Sequence, residues 1–355
     1  MLISGTVNTI TKKAAFESRA KGLSDSKHKF SKPFFLSLIM FMGETLCIFF
    51  YLRQKRKNKR IAKYEILDSK EPEKEEKLLI NEPEKIKKEN LQDNIVMKDT
   101  RSKFWLFFLP SLCDVGGTTI AGVGLMLTTA SVFQILRGSI IIFTALLAFI
   151  FFKRKFHKYH IVGIIVIIIG LICVGISSIK QEEKSNSTNV KRTVYGIIFV
   201  VLSQLVSAIQ FTIEEFFLKS KSDVTPLRTV GSEGVWGILE MVLLALPIVY
   251  FIPGSDSGDH YENSLDSVVM MGQNALLLFF VLFYWISIAF YNAFSLSFAK
   301  QLSSSCSLES WSSSFGEKLT LWSLLQAFGF LMVILGTILH NHLWKIPFLE
   351  PHDSN

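Results

Sequence analysis

Residues 131–152 read SVFQILRGSIIIFTALLAFIFF. After Gln134 and Arg137 the run is almost wholly Ile, Phe, Leu and Ala. It is long enough to cross a bilayer, because a helix rising about 1.5 Å per residue spans the hydrocarbon core in roughly 20 residues. An arginine in such a span is costly against lipid, so Arg137 must face other helices or water. The stretch predicts an integral membrane protein with polar groups in its interior, and transport is the first function to consider. Working outward, further spans are expected over 33–52, 104–128, 159–179, 193–218, 231–252, 275–298 and 320–343. Residues 1–10 (MLISGTVNTI) look like the last half of one more, too short to cross and without the basic start and cleavage site of a signal peptide.

Composition agrees. Hydrophobic residues make up 49% of the chain and the mean hydropathy is +0.36, while the charged residues crowd between the apolar runs. The formal charge of +8 does not imply nucleic acid. The basic stretch RQKRKNKR at 53–60 directly follows a span, where it acts as an inner-face anchor attracted to anionic membrane lipid. Cys47, Cys113 and Cys173 lie in apolar segments as small hydrophobes, and no Cys/His spacing suggests a metal. GxSxG, P-loop, HExxH and Rossmann patterns are absent, so an enzyme reading has no motif to stand on and no cofactor is expected. Uphill movement of a solute would then have to couple to an ion, proton or counter-substrate gradient.

The segments between spans orient the chain by the excess of Lys and Arg on the cytosolic side. Residues 53–103, 153–158 and 219–230 are assigned to the cytosol. Residues 180–192, with the sequon Asn186-Ser187-Thr188, and the acidic 253–274 fall on the luminal side, where Asn186 is a glycosylation candidate. Residues 11–32 dissent, being basic yet luminal. Within 53–103, which is charged and expected to be disordered, Glu75 with Leu79 and Ile80 fits an acidic dileucine sorting motif. An internal repeat is visible where Gly163-IIVIII-Gly170 matches Gly329-FLMVIL-Gly336 in spacing. These glycines are expected to let helices pack closely. Before the first copy a full span precedes the KRK turn; before the second, QLSSSCSLESWSSSFGEK at 301–318 holds no apolar run.

LCDVGGTTIAGVGLMLTTASVFQILRGSIIIFTALLAFIFFKRKF at 112–156 resembles solute carrier family 35, most closely its F subfamily of nucleotide-sugar-transporter-like members, within the drug/metabolite transporter (EamA-like) superfamily. SGTVNTITKKAAF at 4–16, SKPFFLSLIMFMGETLC at 31–47, PLRTVGSEGVWG at 226–237 and LGTILHN at 335–341 resemble the same branch. The resemblance implies an all-α polytopic fold of ten helices in two inverted five-helix repeats, with both termini cytosolic and a central cavity that opens to each side in turn. It also implies an endomembrane home, with Golgi, endosome and lysosome as candidates. Against that pattern helix 1 is truncated and helix 9 is missing. Residues 1–52 begin the first repeat and 104–179 complete it, 193–343 form the second repeat, and 344–355 are a tail. Losing one helix would force the C-terminal span to reverse or to leave the membrane.

Polar residues inside the spans are the candidate substrate path. Gln134 and Arg137, at i and i+3, point the same way, and a guanidinium fork suits an anionic solute. Asp114 on the neighbouring span could pair with Arg137, but depth disfavours direct contact; the alternative for Arg137 is a structural ion pair or snorkelling to the interface. Glu44 sits mid-span, either paired or coupled to protons. Gln210 and Glu214 lie near the end of one span, Glu233 near the start of the next, where the helix dipole alone would explain it. Asn292 serves either an interhelical hydrogen bond or a ligand, and Thr118 and Thr119 either line a cavity or bond their own backbone. The expected function is movement of a small polar or anionic metabolite, a nucleotide sugar among them, by alternating access, with homodimerisation left open. The rival is a membrane adaptor or regulator that keeps the fold without transporting. A channel lacks a pore-loop or charge-ring pattern.

Overall fold

The computed structural model describes residues 2–23, 27–68, 105–153, 157–185, 189–220, 226–256, 258–298 and 321–341. Helix α1 (Leu2–Glu17) leads through an antiparallel ribbon, β1 (Arg19–Lys21) and β2 (Lys27–Lys29), into α2 (Pro33–Asp68). Then follow α3 (Trp105–Leu127), α4 (Ala130–Phe152), α5 (Lys158–Ser185) and α6 (Asn189–Ser220). Helix α7 begins at Pro226 and reaches Phe251 through a π-helical turn at Met241–Ala245, just before Pro247 removes a backbone donor. A short strand, β3 (Pro253–Asp256), precedes α8 (Ser264–Gln273), α9 (Ala275–Phe298) and α10 (Leu321–His340). Among the described residues eight helices, all but α1 and α8, are long and apolar enough to cross a membrane. Their large apolar side chains, such as Leu146, Phe149, Ile150 and Phe151 of α4, project outward, as a bilayer requires and water would not tolerate. The protein is an α-helical polytopic membrane protein.

Helix directions follow from glycine contacts. Gly117 and Gly124 of α3 face Ser207 and Val200 of α6, and Gly231, Gly234 and Gly237 of α7 face Ile48, Thr45 and Phe41 of α2, so both pairs are antiparallel. The repeated glycines meet one another. A Cβ on Gly170 would lie 2.6 Å from the carbonyl oxygen of Gly329, and one on Gly336 would lie 2.7 Å from that of Gly163. Helices α5 and α10 therefore pack backbone to backbone in opposite directions, with Ser177 Oγ donating to the Trp322 carbonyl at one end and His160 bonding the His340 carbonyl at the other. The close-packing role expected for these glycines holds.

This pairing corrects the expected fate of the C-terminal span. Helix α10 neither reverses nor leaves the bundle. Helices α9 and α10 run in the same direction, so α9 ends and α10 begins on opposite faces. Two further corrections concern boundaries. Helix α1 continues to Glu17 instead of ending near residue 10, because its lysines find places: Lys13 Nζ donates to the carbonyls of Leu125 at 3.0 Å and Thr128 at 2.7 Å, at the negative end of α3. Helix α2 runs on to Asp68 past its expected end at 52, since the Lys- and Arg-rich stretch carries good helix formers and no breaker. The dileucine candidate Glu75, Leu79 and Ile80, and Asn186 of the sequon, lie outside the described residues.

The dissenting basic segment 11–32 is explained by what it meets. Lys32, 1% exposed, pairs with Asp256 and, at 2.8 Å, with Asp266, which is itself fully buried. His28 Nε2 lies 3.0 Å from Asp266, and the Leu23 amide donates to the same carboxylate at 2.6 Å. Burial alone would raise Asp266, but these partners, Lys32 foremost, hold it below its ordinary 3.8. Glu262 accepts from the Phe34 and Phe35 amides at 3.0 and 2.6 Å, capping α2 from a distant part of the chain. The basic and acidic segments thus share one face and neutralise each other there. Burial pushes Glu262 up to about 7 from 4.5, against those two amide bonds. A raised carboxyl binds its proton more readily folded than unfolded, so this group makes the protein less stable as pH rises from 4.5 through about 7, by roughly 3 kcal/mol in all. Glu262→Gln is expected to flatten the dependence of the melting temperature on pH between 5 and 8. An unchanged slope would show that Glu262 titrates normally.

Candidate functional site

Polar faces of α1, α2, α3, α4, α6, α7 and α9 converge on a central cavity of about 340 Å³. Helices α5 and α10 do not line it and brace it from outside. Of the residues singled out from sequence, Glu44, Asp114, Thr118 and Arg137 line this cavity. So do Gln210, Glu214 and Asn292. Gln134 stands one step back, its Oε1 accepting from Thr9 Oγ1 at 3.0 Å, and Thr9 lines the wall. Thr118 does both things weighed for it, lining the cavity while donating to the Asp114 carbonyl at 2.7 Å; Thr119 is buried and bonds the Val115 carbonyl at 2.7 Å. Asn292 Nδ2 reaches Glu44 Oε1 at 3.4 Å, an interhelical contact at the cavity edge.

Arg137 sits where α4 tightens. The α-helical hydrogen bonding stops at Leu136, a 3₁₀ turn covers Arg137–Ser139, and the helix resumes at Ile140. A Cβ on Gly138 would come within 2.9 Å of Val333 Cγ1 on α10, so that side chain would have to shift to admit one. A mid-helix 3₁₀ turn is a common mark of a functional position. Arg137 is open to the cavity, and among the described residues its side chain has no hydrogen-bond or ion-pair partner; no ion pair joins it to Asp114.

Sequence reasoning missed Lys12 altogether and gave Glu233 to the helix dipole. Lys12 is 8% exposed and lies over the Tyr284 ring at 5.8 Å, within electrostatic reach of Arg137. The signal was the odd persistence of α1 helix formers past residue 10, hidden by the Lys12-Lys13 pair. Glu233 is 5% exposed, lines the cavity, and has one carboxylate oxygen without a partner; so has Glu214. Glu44, Asp114, Glu214 and Glu233 lie within electrostatic reach of one another, with Gln210 bonding to both Asp114 and Glu214.

The charges are sorted by depth. Lys12 and Arg137 occupy the half of the cavity toward the β1–β2 face, and the four carboxylates lie from mid-membrane toward the opposite face. Tyr284, buried, interacts with Arg137 on one side and with Glu44 and Asp114 on the other. A second titratable cluster lies outside the cavity. His28, Asp256 and Asp266 bring ligand atoms within 4.8 Å of one another, but the Lys32 ammonium already sits on both aspartates where a cation would go.

Membrane-spanning helices whose charged side chains turn inward to a common cavity define a transporter architecture. Residues 86–257 match the family model described as CRT-like, chloroquine-resistance transporter-like. The chain is 33% identical to human solute carrier family 35 member F6 over 359 residues, covering 97% of this chain and 88% of that protein. The rat protein of the same name is 31% identical over 358 residues, with 97% and 87% covered. An uncharacterised Schizosaccharomyces pombe protein is 29% identical over 360 residues, with 99% and 98% covered. The chain belongs to solute carrier family 35, in its F subfamily, and is an integral multi-pass membrane protein of transporter type.

Proposed function

We propose that this protein moves a small polar metabolite bearing an anionic group across an endomembrane, of the lysosome, endosome or Golgi, by alternating access. The observation that carries the reading is the pair of cavity cations, Lys12 and Arg137, neither of them held by an ion pair among the described residues. Lys12 is buried, and a buried unpaired charge is expensive unless a ligand of opposite charge offsets the cost, while Arg137 stands open to such a ligand. Arg137 would take the anionic group through its fork, with Lys12 as a second point charge. Glu44, Asp114, Thr118, Gln134, Gln210, Glu214 and Asn292 would form the rest of the path. No ATP-binding motif is present in the sequence, so net uphill flux would draw on a gradient.

The test is uptake by proteoliposomes containing the purified protein, screened with radiolabelled solutes that include nucleotide sugars and small organic anions. For whichever solute is taken up, Arg137→Ala is expected to lower the initial rate by about 100-fold, the order of effect of losing a charge-assisted bidentate contact. The variant should still elute as a monodisperse species. Uptake at the wild-type rate would remove Arg137 from the site.

A further inference from the structure

We propose that the solute is a small zwitterion, held with its anionic group on Lys12 and Arg137 and its cationic nitrogen among Glu44, Asp114, Glu214 and Glu233. This rests on the transport reading above and specifies its substrate class. Three observations carry it.

The first is the lack of internal neutralisation. The cavity holds two cations and four carboxylates, yet among the described residues no ion pair joins any of them. If the protein needed these charges only for its own cohesion, they would be paired, as Lys32 is with Asp256 and Asp266 a short way along the same bundle. The second is the state of Glu233. It is 95% removed from solvent by its 5% exposure, and one of its oxygens has no donor. A carboxylate oxygen so placed awaits a donor, and a ligand ammonium supplies one with charge. Glu214, on the facing helix α6, presents a second oxygen of the same kind. The third is size. About 340 Å³ is at the lower end of the ~300–1,000 Å³ range of ligand pockets. Such a space suits a solute of amino-acid to small-osmolyte dimensions better than a nucleotide sugar. Tyr284 closes the gap between the poles, its buried ring beneath Lys12 and in reach of both charge groups.

A purely anionic solute would leave the four carboxylates without a cation and Glu214 and Glu233 each with an oxygen lacking a donor, and a purely cationic one would leave Lys12 and Arg137 without an anion. Only a ligand with both charges satisfies the two ends together.

The experiment measures both binding and flux. Detergent-purified protein is melted with millimolar alanine, carnitine, gluconate, UDP-glucose or choline, and the same solutes are offered to proteoliposomes. The expected result is stabilisation and uptake with at least one of the two zwitterions, alanine and carnitine, and at least about tenfold weaker responses to gluconate, UDP-glucose and choline. The variants give reciprocal changes that mere misfolding would not. Glu233→Gln should lower the preference for the zwitterion over gluconate by about tenfold, and Arg137→Gln should lower its preference over choline similarly. Gluconate or UDP-glucose bound and moved best, with Glu233→Gln without effect, would overturn the zwitterion inference and leave the transport reading standing. Zwitterion binding dependent on both residues, without flux of any solute, would keep the binding inference and remove the transport reading. Neither binding nor flux from monodisperse protein would remove both.

Discussion

Lys32→Met is expected to destabilise the protein by about 3–5 kcal/mol, the cost of removing one member of a buried charge cluster. Lys32 is 1% exposed and holds Asp256 and Asp266, the latter fully buried. Without the ammonium, Asp266 keeps His28 and the Leu23 amide, but Asp256 loses its closest partner. The variant is expected to melt at a much lower temperature in a fluorescence-detected thermal assay. Replacing the whole cluster, as Lys32→Met with Asp256→Asn and Asp266→Asn, should recover a large part of the loss, because the penalty comes from the stranded charges and not from lost packing. A single variant as stable as wild type would mean that the face carrying α8 contributes little to the fold. Asp266 is held below 3.8, so its contribution is complete above that pH and is lost only as pH falls further, through the folded-state value.

The second large effect is expected from Gly170→Leu. A Cβ at this position would stand 2.6 Å from the Gly329 carbonyl oxygen and 3.0 Å from the Val333 amide nitrogen. Backbone cannot yield as a side-chain tip can, so α5 and α10 would have to separate along their length. The cost is on the order of 3 kcal/mol or more, and loss of monodisperse protein is the expected outcome. Gly175 on the same helix is the control, since nothing lies within 4 Å of a Cβ there. Gly175→Ala should be neutral or slightly stabilising by helix propensity. Equal tolerance of both substitutions would mean that α10 is not seated against α5.

The spans were legible because apolar length is a strong signal and lipid imposes it without regard to partners. The recurrence of Gly163 and Gly170 at Gly329 and Gly336 was legible too, but not that the two copies touch. Spacing gives a face, and only tertiary structure gives what the face meets. Lys12 was missed because a lysine pair ends an apolar run in any hydropathy reading. In the fold one of the pair turns to the cavity and the other to the carbonyls closing α3. Glu233 illustrates the same limit. The dipole reading took the helix to start near 231, but α7 starts at Pro226, so Glu233 lies two turns in, where it is buried against its neighbours. The basic character of 11–32 misled for the opposite reason: Lys32 is cancelled by aspartates more than 200 residues away, as the separation of 224 to Asp256 records.

The shared direction of α2, α9 and α10 also bears on how the chain is addressed by other proteins. Helices α2 and α10 end, at Asp68 and His340, on one face, whereas α5 ends and α6 begins, at Ser185 and Asn189, on the other. A protein on one side of the membrane would therefore meet both Asp68 and His340, and one on the other side would meet the helix ends at Ser185 and Asn189.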